Sequence, residues 1–223
     1  MKARIAEVFD SVQGEGIYLG ERQLFVRFFG CNLSCKFCDT KLNRFVEYEP
    51  YELSGELKLY GNDFHSVSFT GGEPLLQKDF LKEIACITIS QGHRNYLETN
   101  GTLYAELKDV INHIDIVAMD IKLPSSTGMG DFWMMHHRFL EVASKKEVFV
   151  KTIISEETDE KDLRKAVELI KEVNRCVILV LQPNSFQDPE KLESKLEDFR
   201  GICMAGRVTS CVIPQMHKVI GVR

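Results

Sequence analysis

What most constrains this chain is an alternation of short apolar strands with amphipathic helices, a pattern that leaves room for little besides a parallel sheet covered by helices. Residues 24–29, LFVRFF, read as a buried strand interrupted by one cation, Arg27, and lead through Gly30 into a cysteine-rich loop. A charge in such a strand needs a partner. Residues 66–70 alternate as a strand and stop at Gly71-Gly72, after which Leu76, Phe80, Ile84 and Ile87 share one helical face. The alternation continues with a short strand at 96–98, a helix over 104–112, and strands over 115–121 and 148–154. Thr158 or Asp159 caps the next helix, whose Leu163, Ala166, Val167, Ile170 and Val173 make one stripe. The run CVILVL at 176–181 is apolar throughout, as suits a parallel strand covered on both faces. Asp188-Pro189 then opens a last helix carrying Leu192, Leu196 and Phe199.

An eight-unit barrel takes about 250 residues, whereas this alternation supplies about six units. With 223 residues, and with 41–65 and 124–146 reading as irregular, the expectation is an α/β fold: an open, partial TIM-like barrel forming a single domain, 1–223. Chemistry in such folds sits beyond the carboxyl ends of the strands. Those ends carry Cys31 and its neighbours, residues 71–73, Glu98, residues 120–122 and residues 182–185, so one shared site is predicted.

Charge narrows the partners. Lys and Arg total 28 against 33 Asp and Glu, a formal net charge of -5, which gives no electrostatic footprint for nucleic acid and points to a small molecule. No apolar run reaches the roughly 18 residues that span a bilayer, and Glu7 and Asp10 interrupt the start where a signal peptide is apolar, so no membrane association and a cytoplasmic location are expected. Seven cysteines are an odd number for a disulfide framework; metal ligands or buried core are the readings that fit a reducing compartment.

Their spacing separates the two. CNLSCKFC places Cys31, Cys35 and Cys38 as CxxxCxxC just after a strand. Three thiolates this close can hold three irons of a [4Fe-4S] cluster and leave the fourth open, able to chelate the amino and carboxylate groups of S-adenosylmethionine. A zinc module is the rival reading, and it would need a distant fourth ligand such as His65 or Cys86. Cys86 and Cys176 sit in apolar patterns and read as core, Cys203 and Cys211 are too few for a second cluster, and His136-His137 reads as an incidental polar pair.

The cysteine motif followed by Thr70-Gly71-Gly72-Glu73-Pro74 resembles the radical S-adenosylmethionine superfamily. Four further features resemble the 7-carboxy-7-deazaguanine synthase family over nearly the whole chain: Gln13-Gly14-Glu15-Gly16, Arg27, Cys38-Asp39-Thr40 and Pro214-Gln215-Met216-His217-Lys218. The resemblance implies a lyase that converts 6-carboxy-5,6,7,8-tetrahydropterin to 7-carboxy-7-deazaguanine with loss of ammonia, on the route to queuosine. It implies a [4Fe-4S] cluster, S-adenosylmethionine and Mg²⁺ as cofactors, an external one-electron donor of flavodoxin or ferredoxin type, and a homodimer. It also implies a cluster loop at 30–40, a variable segment at 41–65 and a tail at about 206–223 that closes on the substrate.

Residue by residue, the resemblance assigns Val12, Gln13, Gly14, Glu15, Arg27, Thr70 and His217 to the substrate and Thr40 to magnesium. A planar guanidinium at Arg27 suits a carboxylate, and amide, backbone and carboxylate groups at 12–15 suit a guanidine-like ring edge. Taken alone, Arg27 also fits a structural ion pair, QGEG a glycine turn and Thr40 a turn or cap. Phe37, Cys38, Asp39, Gly72, Glu98, Asp120, Ile121, Lys122, Gln182, Pro183, Asn184 and Ser185 are implied for S-adenosylmethionine. Two departures stand out: Phe37 where related sequences often have Trp, and Asp120-Ile121-Lys122 where some have Ser-Pro-Lys. The Asp-x-Lys strand is also similar to glycyl-radical activating enzymes, which keeps that function as the alternative.

Overall fold

The computed structural model describes residues 1–38, 42–216, 218 and 221. In chain order the elements are β1 (Ala3–Val12), β2 (Arg22–Phe28), β3 (Val46–Tyr48), α1 (Pro50–Leu57), β4 (Ser66–Gly71), α2 (Lys78–Ser90), β5 (Asn95–Thr99), α3 (Tyr104–Val110), β6 (Ile116–Asp120), α4 (Pro124–Thr127), α5 (Trp133–Ala143), β7 (Glu147–Ile154), α6 (Glu160–Val173), β8 (Leu179–Pro183), α7 (Pro189–Ala205) and β9 (Ser210–Val212). They build one open sheet in the order β3-β1-β2-β4-β5-β6-β7-β8-β9. From β2 to β9 every neighbouring pair is parallel and bridged by helix, while β1 runs antiparallel to both β2 and β3. The α/β fold with a mostly parallel, open sheet is therefore the one expected.

The period of two along each strand divides the sheet into faces of different chemistry. Leu24, Val26 and Phe28 of β2, Val67 and Phe69 of β4, Leu97 of β5, Val117 and Met119 of β6, Val150 of β7, and Leu179 and Leu181 of β8 point toward the helices and are completely buried. Phe28 meets Phe69 and Phe80 edge-on, with ring centroids 6.3 and 6.2 Å apart. Burial of each such side chain contributes about 1.5–3 kcal/mol, so this layer carries most of the fold. The opposite, inner face begins with a small apolar cluster of Tyr96, Ile116, Ala118, Phe149 and Val180, against which Tyr18 packs. Two residues beyond Tyr96, Ala118, Phe149 and Val180 it turns polar at Glu98, Asp120, Lys151 and Gln182, with Asp120 beside Lys151 in register and, on β2 and β4, Arg27 beside Thr70.

Several segments differ from the sequence expectation. β1 was not anticipated, because its burial pattern mixes buried, intermediate and exposed positions and it pairs with sequence neighbours on both sides. The stretch 41–65 holds β3 and α1, with Glu49 and Glu52 closing a reciprocal capping box; 124–146 holds α4 and α5. Leu76 is exposed in a single 3₁₀ turn, and the buried stripe of α2 is Phe80, Leu81, Ile84, Ala85 and Thr88. Cys86 therefore lies off that stripe and is exposed, as is Cys176 in the turn ahead of β8, so neither belongs to the core. Asp159 caps α6, its side chain accepting from the Lys161 N–H at 2.8 Å. Among the described residues no helix is long and apolar enough to cross a membrane.

Candidate active site

The carboxyl ends of the parallel strands open onto a cavity of about 440 Å³. Val12, Gln13, Gly14, Glu15, Arg27, Cys31, Cys35, Phe37, Cys38, Thr70, Gly72, Glu98, Asp120, Lys122, Gln182 and Asn184 all line it, which joins both sets of expected residues in one chamber. Asp39, Thr40 and His217 lie outside the described residues. Ile121, Pro183 and Ser185 do not line the cavity. Strand alternation turns Ile121 into the helix-side core, where its N–H donates to the Lys151 carbonyl and its own carbonyl accepts from the Thr152 hydroxyl.

The cysteine loop follows β2 and is braced by the turn after β4. Glu73 N–H donates to the Gly30 carbonyl at 2.8 Å, and a Cβ on Gly72 would stand 2.0 Å from that same oxygen, so only glycine admits the two backbones here. The three thiols are free and share the cavity. Asn100, at the end of β5, reaches Cys31 Sγ with its Nδ2 at 3.8 Å and Asn32 Oδ1 at 2.8 Å, while Asn32 donates to Thr102. Burial raises the pKa of Cys31 and Cys35; at Cys35 the Lys122 ammonium opposes that rise. Beneath the loop the fully buried Glu73 carboxylate accepts from the N–H groups of Leu75 and Asn100 and from the Thr99 hydroxyl, and burial still raises its pKa to about 7.

These residues fit an iron-sulfur cluster better than a zinc ion. Three thiols line one chamber with no histidine among its described lining residues, a donor set that suits three irons of a cluster, whereas a structural zinc ion takes four ligands. Neither distant candidate reaches the loop: Cys86 is exposed on α2, and His65 precedes β4 at the other end of the sheet, tilted against Tyr18 and bonded to Arg94.

A second group of side chains lies on the inner face toward β1. Gln13 Nε2 donates to Glu98 Oε1 at 2.9 Å and to Gln23 Oε1 at 3.0 Å, and the Thr70 hydroxyl donates to Glu98 Oε2 at 2.7 Å. Glu98 thus stands among the residues expected to face the substrate. Arg27 lies 5.3 Å over the Phe9 ring and 3.5 Å from Glu7, with its buried Nε lacking hydrogen-bond geometry to any described group. Gln182 likewise presents an amide whose nitrogen and oxygen are both buried without a hydrogen-bond partner.

Between the groups runs a chain of charges. Lys122 donates to Asp120 at 2.8 Å, Lys151 lies 3.8 Å from Asp120 and donates to Glu15 at 2.6 Å, and Gln215 donates to the other oxygen of Glu15 at 2.6 Å. Burial works against both ammonium groups, yet the carboxylates around them raise their pKa values. The tail is tied to the QGEG loop through Met216 N–H and the Gly14 carbonyl, 2.9 Å.

Comparison with known proteins agrees with this chemistry. Residues 25–196 match the family model of the radical SAM superfamily. The 7-carboxy-7-deazaguanine synthase of Geobacter sulfurreducens is 40% identical over 205 residues, 81% of each chain, and that of Archaeoglobus fulgidus is 33% identical across the whole of both. This chain belongs to the 7-carboxy-7-deazaguanine synthase family of the radical SAM superfamily. Membership in that superfamily implies a [4Fe-4S] cluster and S-adenosylmethionine. A crystal structure of QueE from Escherichia coli superposes with a TM-score of 0.67 at 21% identity, covering 95% and 93% of the two chains. A domain of a pyruvate-formate lyase-activating enzyme from Bacteroides vulgatus gives 0.54 at 18% identity over 66% of this chain; both likenesses concern the fold.

Within this family site, sequence reasoning missed Asn100, His136, Lys151 and Gln215 as individual contributors. Asn100 could have been found from its place in Glu98-Thr99-Asn100-Gly101, a strand end two residues past Glu98. His136 had no such signal. It is completely buried, accepts from the Lys122 N–H at 3.1 Å and donates to the Gly101 carbonyl at 3.0 Å, which corrects its reading as an incidental polar residue. Burial and Lys122 outweigh the bond to Gly101 and lower its pKa to about 4, so it holds the rim as a neutral ring.

Proposed function

We propose that this chain converts 6-carboxy-5,6,7,8-tetrahydropterin to 7-carboxy-7-deazaguanine with release of ammonia. The observation that carries the reading is the meeting, in one cavity, of the cysteine triad with Gln13, Glu15, Arg27, Thr70 and Glu98. Cys31, Cys35 and Cys38 hold the cluster, Asn100 and Asn32 fix the loop around it, and the glycine pair lets the loop sit against β4. The cluster and S-adenosylmethionine, when bound, supply the radical chemistry that starts on the substrate. Arg27 presents a planar fork to the substrate carboxylate, and Glu98, Gln13 and Thr70 present two acceptors and their fixed donors to the ring edge. Lys122, Asp120, Gln182 and Asn184 form a second part of the lining, where a charged amino acid moiety and a nucleobase edge find a cation, carboxylate and amides.

Mg²⁺, with Thr40 as ligand, belongs to the same reading through the family resemblance, as do His217 at the substrate, the backbone at 183 and 185 near S-adenosylmethionine, a flavodoxin- or ferredoxin-type electron donor, a homodimer and a cytoplasmic location. The whole chain acts as one domain, with its tail closing the cavity beside Glu15. Incubating the reconstituted, reduced protein anaerobically with the carboxypterin, S-adenosylmethionine and Mg²⁺ yields 7-carboxy-7-deazaguanine, and Cys35→Ala loses both the brown colour and turnover. Tight pterin binding with no deazaguanine formed would reject the reading.

A further inference from the structure

We infer that Lys151 is a positioning residue that couples the two walls of the cavity, setting the Glu15 carboxylate toward the substrate and the Asp120 carboxylate toward S-adenosylmethionine. This rests on the division of the cavity proposed above. Lys151 stands on the inner face of β7, its side chain 6% exposed and surrounded by strands rather than water. Its Nζ donates to Glu15 Oε2 at 2.6 Å and lies 3.8 Å from Asp120 Oδ1, so one ammonium serves both carboxylates. Asp120 is its register partner on β6, whereas Glu15 arrives from a loop 136 positions away in sequence.

Each carboxylate is held on two sides. Asp120 takes Lys122 on Oδ2 and Lys151 near Oδ1; Glu15 takes Gln215 on Oε1 and Lys151 on Oε2. A buried ammonium is costly unless its partners surround it, and the fold supplies them from two separate elements, β6 and the loop after β1. A lysine contributes donors only, so it cannot accept from a ligand in place of either carboxylate, and its charge orients both. Removing it leaves each carboxylate with one of these holders, Lys122 for Asp120 and Gln215 for Glu15, so that a ligand beside either one meets a less ordered partner.

The test uses anaerobic calorimetry on reconstituted holoprotein, titrating 6-carboxytetrahydropterin and S-adenosylmethionine separately. Lys151→Met is expected to weaken both by about tenfold or more, with Lys151→Arg recovering part of each affinity. In a Glu15→Gln background, Lys151→Met is expected to add little to the loss of pterin affinity, because Lys151 acts there through Glu15; in Asp120→Asn the same holds for S-adenosylmethionine. If the Met variant fails to fold, judged by circular dichroism and iron content, Lys151→Gln keeps a donor in the same space and carries the same comparison. Affinities within about twofold of wild type, or losses that multiply in the double variants, overturn the proposal. A wild-type holoprotein that binds no carboxypterin overturns instead the functional reading on which it rests.

Discussion

The two faces of the sheet are made from the same strands and obey opposite rules. Toward the helices, consecutive strands present Val26, Phe69, Leu97, Val117, Val150 and Leu181, all fully buried and apolar. Toward the cavity the same strands present Arg27, Thr70, Glu98, Asp120, Lys151 and Gln182. Among the described residues, every buried side-chain polar atom without a hydrogen-bond partner belongs to the inner face: Gln23 Nε2, Arg27 Nε, Ser68 Oγ, Tyr96 OH and both amide atoms of Gln182. Such atoms each cost free energy; those of Arg27 and Gln182 line the cavity, where a ligand can offset the loss. One face stores stability; the other spends part of it on recognition.

That contrast can be broken by experiment. Phe69→Ala, on the helix face, should lower unfolding free energy by about 3–5 kcal/mol in urea melts while leaving pterin affinity of the folded protein unchanged. Loss of affinity in a fully folded variant would mean that the faces are not independent. Glu98→Gln, one strand over on the inner face, should do the reverse, weakening pterin binding by about 1.5–3 kcal/mol with a stability change under about 1 kcal/mol. Calorimetry and melting on the same sample decide it, and a variant that melts early but binds normally assigns Glu98 to the scaffold.

The rim joining the faces gives the most specific effect. His136 is neutral in the fold, its pKa lowered from 6.5 to about 4 by burial, so in that window the unfolded chain binds more protons. Its contribution is complete above pH 6.5 and is lost as the pH falls toward 4. Urea melts should therefore show about 2 kcal/mol less stability at pH 5 than at pH 7 from this group, a slope that His136→Gln flattens. An equally steep profile in the variant would remove His136 from the account.

Much of this was legible in the chain because the signals are local. CNLSCKFC fixes the spacing of three thiols whatever surrounds it, and the alternation from residue 66 onward names five of the parallel strands, β4 to β8, through turn and helix signals before any contact is known. Gly71-Gly72 marked the end of a strand, whereas the backbone they admit, that of residues 28–31, is named by the fold alone. Local pattern failed where burial depends on a distant neighbour. Cys86 follows buried Ala85 but rotates away from the sheet, His136 looks like its half-buried companion His137, and β1 acquires its identity by pairing with β2 and β3.

The sequence by itself determined the class of fold, the cysteine loop and the residue types that reach the strand ends, since each follows from the period of a strand, the spacing of a loop or the stop at a glycine. Only the tertiary structure decided which of them meet. Lys151 becomes a bridge because β6 and β7 are neighbours and because a loop 136 positions away folds over them; Gln215 reaches the same Glu15 from 200 positions away. A charge inside an apolar strand states that it needs a partner. Strand order and register, set by the packing of the whole sheet, choose it.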